Sequence, residues 1–538
     1  MSLMSSRSSS SPPSLAASLS LVSAFCGFLF AVLVSAAAAA APEPAVRVDR
    51  WSPRDFAFTS QAKPENPFAI RFTAKVTGPD GRTFTQPGFY DGSNTWKVRV
   101  SASQAGAWSL VTQSDLADLD GRSARFTCTG TYPRNGHGPL RVDPAHPHHF
   151  VCEDGTRFYL LAYECDWLWA LDAGDPAVPT IKRFLDRLAA HGFNHVLLNV
   201  FAYDTSWRPE KTEPADYGPP PFSPWAGELA TPQHDRLNVA YWQHYDRVIR
   251  ELAARGINAH LMLKVYNKKV RWPERASPAD DLYFRTIVAR YAAFPNIIWD
   301  FSKEAHNEKD LTYKQGRLRL VRELDAYRHL TTVHDDDANN DAGAWDELTD
   351  FRTDQHHREF RQKILAQRQR RAWPVANVEF GYEQGPLGPE DKTYRAAQSA
   401  EVFVTRAWEV AMAGGYTAYY YTYTAWDVVR PDDQPRGYAY FRQLRAFFET
   451  TRYWELAPAE GIASDGWTLA NPGKEYVICL KEAKPFTLTI EAGGAWRGEW
   501  FNPLSNERRA AGSIATGTRE LSPPEQWAGG LAVLHLRR

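Results

Sequence analysis

The sequence predicts a multidomain chain, a (β/α)8 TIM barrel flanked by N-terminal and C-terminal β-sandwich domains. Three observations carry that expectation. Apolar residues alternate with period two over residues 46–139 and again over 456–538, whereas residues 155–453 alternate apolar strands with amphipathic helices. The 538 residues exceed what one hydrophobic core supports, so more than one domain is expected. No Gly-rich phosphate loop follows any strand, which counts against a doubly wound open sheet.

Composition narrows the function classes. Lys and Arg number 62 against 63 Asp and Glu, a formal net charge of −1 that excludes a polybasic nucleic-acid binder and an acidic solvating tail. With 43% hydrophobic and 23% charged residues the chain is globular. Its 19 Trp, 24 Tyr and 28 Phe are mostly core and strand residues, but flat aromatic faces also stack on the apolar C–H faces of sugars.

The elements follow in order. Residues 1–41 read as a secretory signal: Ser-rich sequence with Arg7, an apolar run over 19–34, then an alanine tract over 36–41. The run is short for a membrane span and contains Ser20 and Ser23, so cleavage near Ala41 and a secreted or periplasmic mature protein are expected, with no membrane association after signal removal. Residues 45–140 form the first sandwich, with Phe68, Ile70, Phe72, Ala74 and Val76 alternating before a Gly-Pro-Asp-Gly turn at 78–81, then Trp96, Val98 and Val100. Residues 141–453 form the barrel. Its strands are read at 158–163, 196–200, 257–265 and 297–301, with later ones beginning at Thr331, Asp350, Val375 and Thr417. Ile181, Phe184, Leu185 and Leu188 mark a helix ended by Gly192, Trp242, Tyr245, Ile249 and Leu252 one ended by Gly256, and residues 279–293 another with Asp280 and Asp281 in its first turn. Residues 456–538 return to alternation as a second sandwich. Outside Cys26 of the signal, Cys128, Cys152, Cys165 and Cys479 are too sparse for a disulfide scaffold; Cys128 with Cys152 is the one pair close in sequence, as a bridge or as buried thiols.

Barrel chemistry sits at the C-terminal ends of the strands. Those ends carry Glu164, Asp166 and Trp167; Asn199, Phe201 and Tyr203; Lys264 and Tyr266; Lys303, Glu304 and His306; His334 and Asp335; Gln355, His356 and His357; Glu379, Tyr382 and Glu383; and Tyr421, Tyr423, Trp426 and Asp427. The sharpest pair is Glu304 after strand four and Glu379 after strand seven. Hydrolysis of a glycosidic bond needs two such carboxyls, one protonated for the leaving oxygen and one ionised to attack or to activate water. Glu383 competes with Glu379 for its role. Lys303 is expected to point away, since an ammonium beside Glu304 would weaken it as an acid.

Aromatic Trp167, Tyr203, Tyr423 and Trp426 are expected to stack on sugar, Asn199 and His334 to make polar contacts at the pocket floor, and Gln355, His356, Tyr382 and Glu383 to line it. His356 and His357 point opposite ways on a strand, so they do not share a metal. The acidic run from Asp335 to Asp337 resembles a calcium loop but has Asn340 and Asp346 where Gly and Glu belong. No metal and no cofactor are expected, and the partner is a carbohydrate substrate rather than nucleic acid.

Taken together the strand ends resemble the apiosidase-like glycoside hydrolase family. The resemblance lies in Phe158-Tyr159-Leu160-Leu161-Ala162-Tyr163 with Trp167, Gly192-Phe193-Asn194 with Asn199, Ile298-Trp299 leading to Glu304, Thr332-Val333-His334, Gln355-His356-His357, and Glu379 with Tyr382-Glu383. Phe89-Tyr90-Asp91-Gly92 with Trp96 is similar to the β-sandwich that precedes such barrels, and Asn471-Pro472-Gly473 with Trp500-Phe501-Asn502-Pro503 to a small C-terminal domain named for collagen binding. The resemblance implies a glycan-degrading enzyme with Glu304 and Glu379 as the catalytic pair. One departure is that Lys303-Glu304 stands where the family often has Asp after a Gly pair. The expected activity is cleavage of a plant or algal polysaccharide or its oligosaccharides. The alternative is a non-catalytic glycan-binding protein on a degenerate barrel.

Overall fold

A computed structural model describes residues 46–203, 220, 222–335, 343–385, 397–424 and 430–538. The signal expected over 1–41, Trp426, Asp427 and most of the acidic run after Asp335 lie outside the described residues.

Eight parallel strands close the barrel: β1 (Leu161–Glu164), β2 (His195–Asn199), β3 (Asn258–Val265), β4 (Ile297–Lys303), β5 (Thr331–Thr332 and His334–Asp335), β6 (Arg352–Asp354), β7 (Val375–Asn377) and β8 (Tyr416–Tyr420). β1 pairs with both β2 and β8. β5 is broken at Val333, its first half pairing with β4 and its second with β6. Asp300 spans that break. Its Oδ1 accepts the His334 N–H (3.0 Å) and the Ser302 N–H (3.1 Å), and its Oδ2 faces His260 Nε2 at 2.8 Å. A side chain thus replaces the missing ladder bond, as a buried backbone N–H requires.

The helices are α1 (Pro179–Ala190), α2 (Val239–Ala254), α3 (Pro278–Tyr291), α4 (Leu311–Leu324), α5 (Phe360–Arg370), α6 (Ala400–Ala411) and α7 (Gly437–Glu449). Four of these seven start on a side-chain cap: Asn238, Ser277, Asp310 and Ser399 each accept a first-turn N–H. α1 stops where Gly192 takes φ 80°.

The apolar run over 158–163 departs from the expected single strand. Arg157–Phe158 belongs to a small sheet with Leu140–Val142 and Phe150–Cys152, outside the barrel. Asn194 bridges the interruption, accepting the Leu161 N–H and donating to the Tyr159 carbonyl, both at 2.9 Å.

N-terminal to the barrel, a five-stranded sheet (Val46–Val48, Phe72–Thr77, Thr83–Pro87, Gly106–Ser114, Ser123–Cys128) and a three-stranded one (Arg54–Thr59, Phe89–Tyr90, Thr95–Val100) enclose Phe72, Val76, Trp96, Val98, Trp108 and Phe126. This layer is tied to the barrel through charge. Buried Arg99 donates to Asp55 (2.6 Å), to Asp246 of α2 (2.8 Å) and to the Arg290 carbonyl of α3 (2.7 Å), while Arg290 pairs with Asp91 at 2.6 Å. At the C-terminus a six-stranded antiparallel sheet encloses Ile478, Leu488, Trp496, Trp500 and Leu534. Cys128, Cys152, Cys165 and Cys479 are free, buried thiols.

Candidate active site

The C-terminal ends of β1, β4, β5, β7 and β8 converge on one charged cluster. Glu379 follows β7 and is buried. Its Oε1 accepts the Tyr382 hydroxyl, its Oε2 lies 3.0 Å from Lys303 Nζ and 3.7 Å from His334 Nε2. Burial pushes this carboxyl up, but the Lys303 ammonium, His334 and the Tyr382 hydroxyl outweigh it and hold it at about 2.

Lys303, expected to point away, points in. Its ammonium bonds Glu164 Oε1 and lies 3.6 Å from Asp166 Oδ1 and 3.4 Å from the Tyr420 hydroxyl. The reason is charge compensation: three carboxylates enter the barrel mouth here, and an unpaired buried carboxylate costs several kcal/mol.

Glu304 leaves β4 with φ 53°, a left-handed conformation that breaks the strand and swings its side chain away from the Lys303 side. Its Oε1 accepts from Asn267 Nδ2 (2.6 Å) and its Oε2 from Asn307 Nδ2 (3.0 Å), with His306 Nε2 3.8 Å away. Burial and then the Glu379 charge raise its pKa above the usual 4.5, despite Lys303. Two carboxyls in one site are thus driven in opposite directions. A cavity of about 670 Å³ opens beside Asn307, lined among others by Tyr266, Trp272, His234 and Arg271.

Residues 145–480 match the family described as Apiosidase-like, catalytic domain. The chain belongs to that family. It is a glycoside hydrolase on a TIM barrel. Residues 47–115 match a domain of unknown function, DUF5060. Among solved structures, a candidate glycoside hydrolase from Bacteroides vulgatus superposes with TM-score 0.77 at 22% identity, covering 91% of this chain and 99% of that one. A family 5 glycoside hydrolase from the same organism gives TM-score 0.58 at 16% identity, covering 75% and 94%. At these identities the likeness concerns the fold. No curated protein matches the chain.

Within this apiosidase-like barrel the other expected site residues divide. Gln355 is partly exposed, and its Oε1 faces His334 Nε2 at 3.1 Å. His334 is fully enclosed, and burial followed by Lys303 lowers it to about 4, so it is neutral near pH 7. Tyr382 orients Glu379 and packs on Tyr420, ring centroids 4.7 Å apart. Asn199, expected at the pocket floor, is fully buried, and its Nδ2 donates to Asp166 Oδ1 at 3.1 Å.

Three further expectations are corrected. Glu383 is carried behind the barrel wall by Gly381, whose φ of 136° turns the chain. There its Oε2 accepts the Tyr419 hydroxyl (2.5 Å) and the Gly437 N–H (2.9 Å) at the start of α7, and burial raises its pKa to about 7. His356 turns to Asp354, 3.3 Å away, with its backbone held by Asn377; exposed His357 instead reaches toward Tyr382, with ring centroids 6.3 Å apart. Tyr423 and Trp167 do not offer free faces for stacking. Each is 1% exposed, Tyr423 beneath the Arg430 guanidinium (4.0 Å) and Trp167 against Trp169. Tyr203 is only half-buried.

Sequence reasoning noted Glu164 and Asp166 at a strand end but assigned them no role, and passed over Tyr420, Asn267 and Asn307. The signal for Tyr420 was hidden by its neighbours Tyr419 and Tyr421, since three tyrosines in a row disclose no facing. Among the described residues, no group of three or more His, Cys, Asp or Glu is arranged to hold a metal ion.

Proposed function

We propose that the protein is a secreted enzyme that cleaves a plant or algal polysaccharide, or its oligosaccharides, with retention of configuration, using Glu304 as general acid and base and Glu379 as nucleophile. The observation that carries the reading is the contrast in surroundings of the two carboxyls: Glu379 Oε2 lies 3.0 Å from the Lys303 ammonium, whereas Glu304 is held by the neutral amides of Asn267 and Asn307, an arrangement that pushes Glu379 down and leaves Glu304 raised.

Glu379 Oε attacks the anomeric carbon while the bond to the leaving oxygen breaks and the Glu304 proton passes to that oxygen. The Glu304 carboxylate then takes a proton from water, the water oxygen adds to the anomeric carbon, and the Glu379 carboxylate departs. The low pKa of Glu379 favours this role over activation of water. A base works best when its pKa lies near the operating pH, whereas a nucleophile that must also leave gains from being weakly basic. Asn307, which donates to Glu304, also lines the cavity, and we assign that cavity to the leaving-group part of the substrate.

The test starts from a screen of the protein on plant and algal polysaccharides. On the best substrate, Glu304→Gln should lower turnover by roughly 100-fold or more, and NMR of the first-formed anomer should show retained configuration. Near-wild-type turnover of Glu304→Gln removes it from the mechanism; an inverted first product assigns Glu379 to water activation instead.

A further inference from the structure

β4 ends in two ionisable residues with different surroundings. Glu304 is partly exposed, while Lys303 is fully enclosed, bonded to Glu164 and 3.0 Å from Glu379 Oε2. One ammonium faces three carboxylates, and like charges this close do not all ionise in a site shielded from water. Glu164 is the one that yields. It is fully buried, and burial pushes its pKa well above the usual carboxylate range although its Oε1 meets Lys303. The Lys303 ammonium also lies 3.0 Å from Glu379 Oε2 and 3.6 Å from Asp166 Oδ1.

We propose that Lys303 is a positioning residue that keeps Glu379 ionised, and so sets the opposite protonation of the two glutamates, a role that rests on the two-carboxylate reading above. The groups facing this pair come from every surrounding strand end: Glu164 and Asp166 from β1, Glu304 from β4, His334 from β5, His357 from β6, Tyr382 from β7 and Tyr420 from β8. Burial lowers the pKa of His334 and of His357, leaving both neutral near pH 7, and the two tyrosines are uncharged. Near neutral pH the positive charge facing Glu379 among these groups is that of Lys303, and His334 adds to it only in acid. Hydrogen bonds from Tyr382 can orient the carboxylate, but only a cation of this kind offsets the cost of burying it. Because Lys303 also faces Glu304 less directly, it separates the two carboxyls rather than lowering both alike.

The experiment follows the Glu379 carboxyl itself, with side-chain 13C-labelled glutamate and the Glu379 resonance assigned as the one lost in Glu379→Gln. Its titration is compared in the wild-type protein, in Lys303→Met, and in Lys303→Met/Glu164→Gln, which also replaces the buried carboxyl left without its ammonium partner by an amide that cannot ionise, and so spares the fold. The wild-type carboxyl should stay ionised well below pH 4.5. Removal of an opposite charge at this distance should raise its midpoint by roughly 1–3 units. The acidic limb of kcat/KM should move up with it, on the best-cleaved polysaccharide of the screen, and the basic limb by less. A wild-type midpoint at or above 4.5, or an unchanged midpoint in the folded double variant, overturns the proposal. If Glu379→Ala still hydrolyses glycan at the wild-type rate, the two-carboxylate reading falls instead, and the carboxyl titration still decides what Lys303 does.

Discussion

Asn267 Nδ2 donates to Glu304 Oε1 at 2.6 Å, from the loop after β3 to the residue that follows β4. With Asn307 on the other oxygen, this bond fixes a carboxyl whose backbone is held in the left-handed region. The Asn267 bond also favours the ionised form, so its loss raises the Glu304 pKa further. Asn267→Ala should lower kcat by roughly 10-fold to 100-fold through lost orientation, with little change in KM. It should also shift the basic limb of the pH profile upward. Steady-state kinetics across pH checks both effects.

Tyr382→Phe tests the opposite end of the profile. The hydroxyl stabilises ionised Glu379, so its removal raises that pKa, and the acidic limb of kcat/KM should move up by roughly one pH unit. A limb that stays in place would show that the hydroxyl only orients the carboxylate.

Glu383 predicts a stability effect without a catalytic one. Its folded pKa, about 7, stands above the usual 4.5, so the folded state holds this proton more tightly than the unfolded chain. The resulting stability is complete below pH 4.5 and is lost as pH rises to 7, a contribution of about 3 kcal/mol. Glu383→Gln keeps an oxygen for the Gly437 N–H and the Tyr419 hydroxyl but cannot ionise. Relative to wild type it should gain stability between pH 5 and pH 8 in urea unfolding, while its kcat stays close to wild type.

Arg99 predicts how firmly the N-terminal layer is held. Arg99→Met leaves Asp246 buried with Arg290 as its remaining close cation, and removal of one partner from a buried ion network costs roughly 3–5 kcal/mol. Urea unfolding should show that loss. An unchanged midpoint would mean that the network contributes nothing net.

The barrel was legible because its strands are continuous apolar runs, such as residues 196–200, and its helices repeat at 3.6, as in Ile181, Phe184, Leu185 and Leu188. Glu304 and Glu379 were legible as candidates from the same rhythm, which placed each just past a strand. Facing was not legible. Alternation assigns sides only while the backbone stays extended, and the site lies where it stops: Glu304 at φ 53°, Gly381 at φ 136° and Glu359 at φ 54°. Hence His356 and His357 exchanged places and Glu383 passed behind the wall, whereas Lys303, still within β4, turned in toward the three carboxyls around it. Burial of Trp167 and Tyr423 was also invisible, because it depends on how the chain beyond each folds back, Trp169 against Trp167 and Arg430 over Tyr423.

The central claim is that Glu379, and not Glu383, is the second catalytic carboxylate. Glu379→Ala and Glu383→Ala are each assayed with azide on an activated glycoside of the sugar released in the polysaccharide screen. Glu379→Ala should be nearly inactive and recover with azide, yielding a glycosyl azide of inverted configuration, whereas Glu383→Ala should stay active and form none. Rescue of the position-383 variant alone, or full activity of Glu379→Ala without azide, would contradict the account.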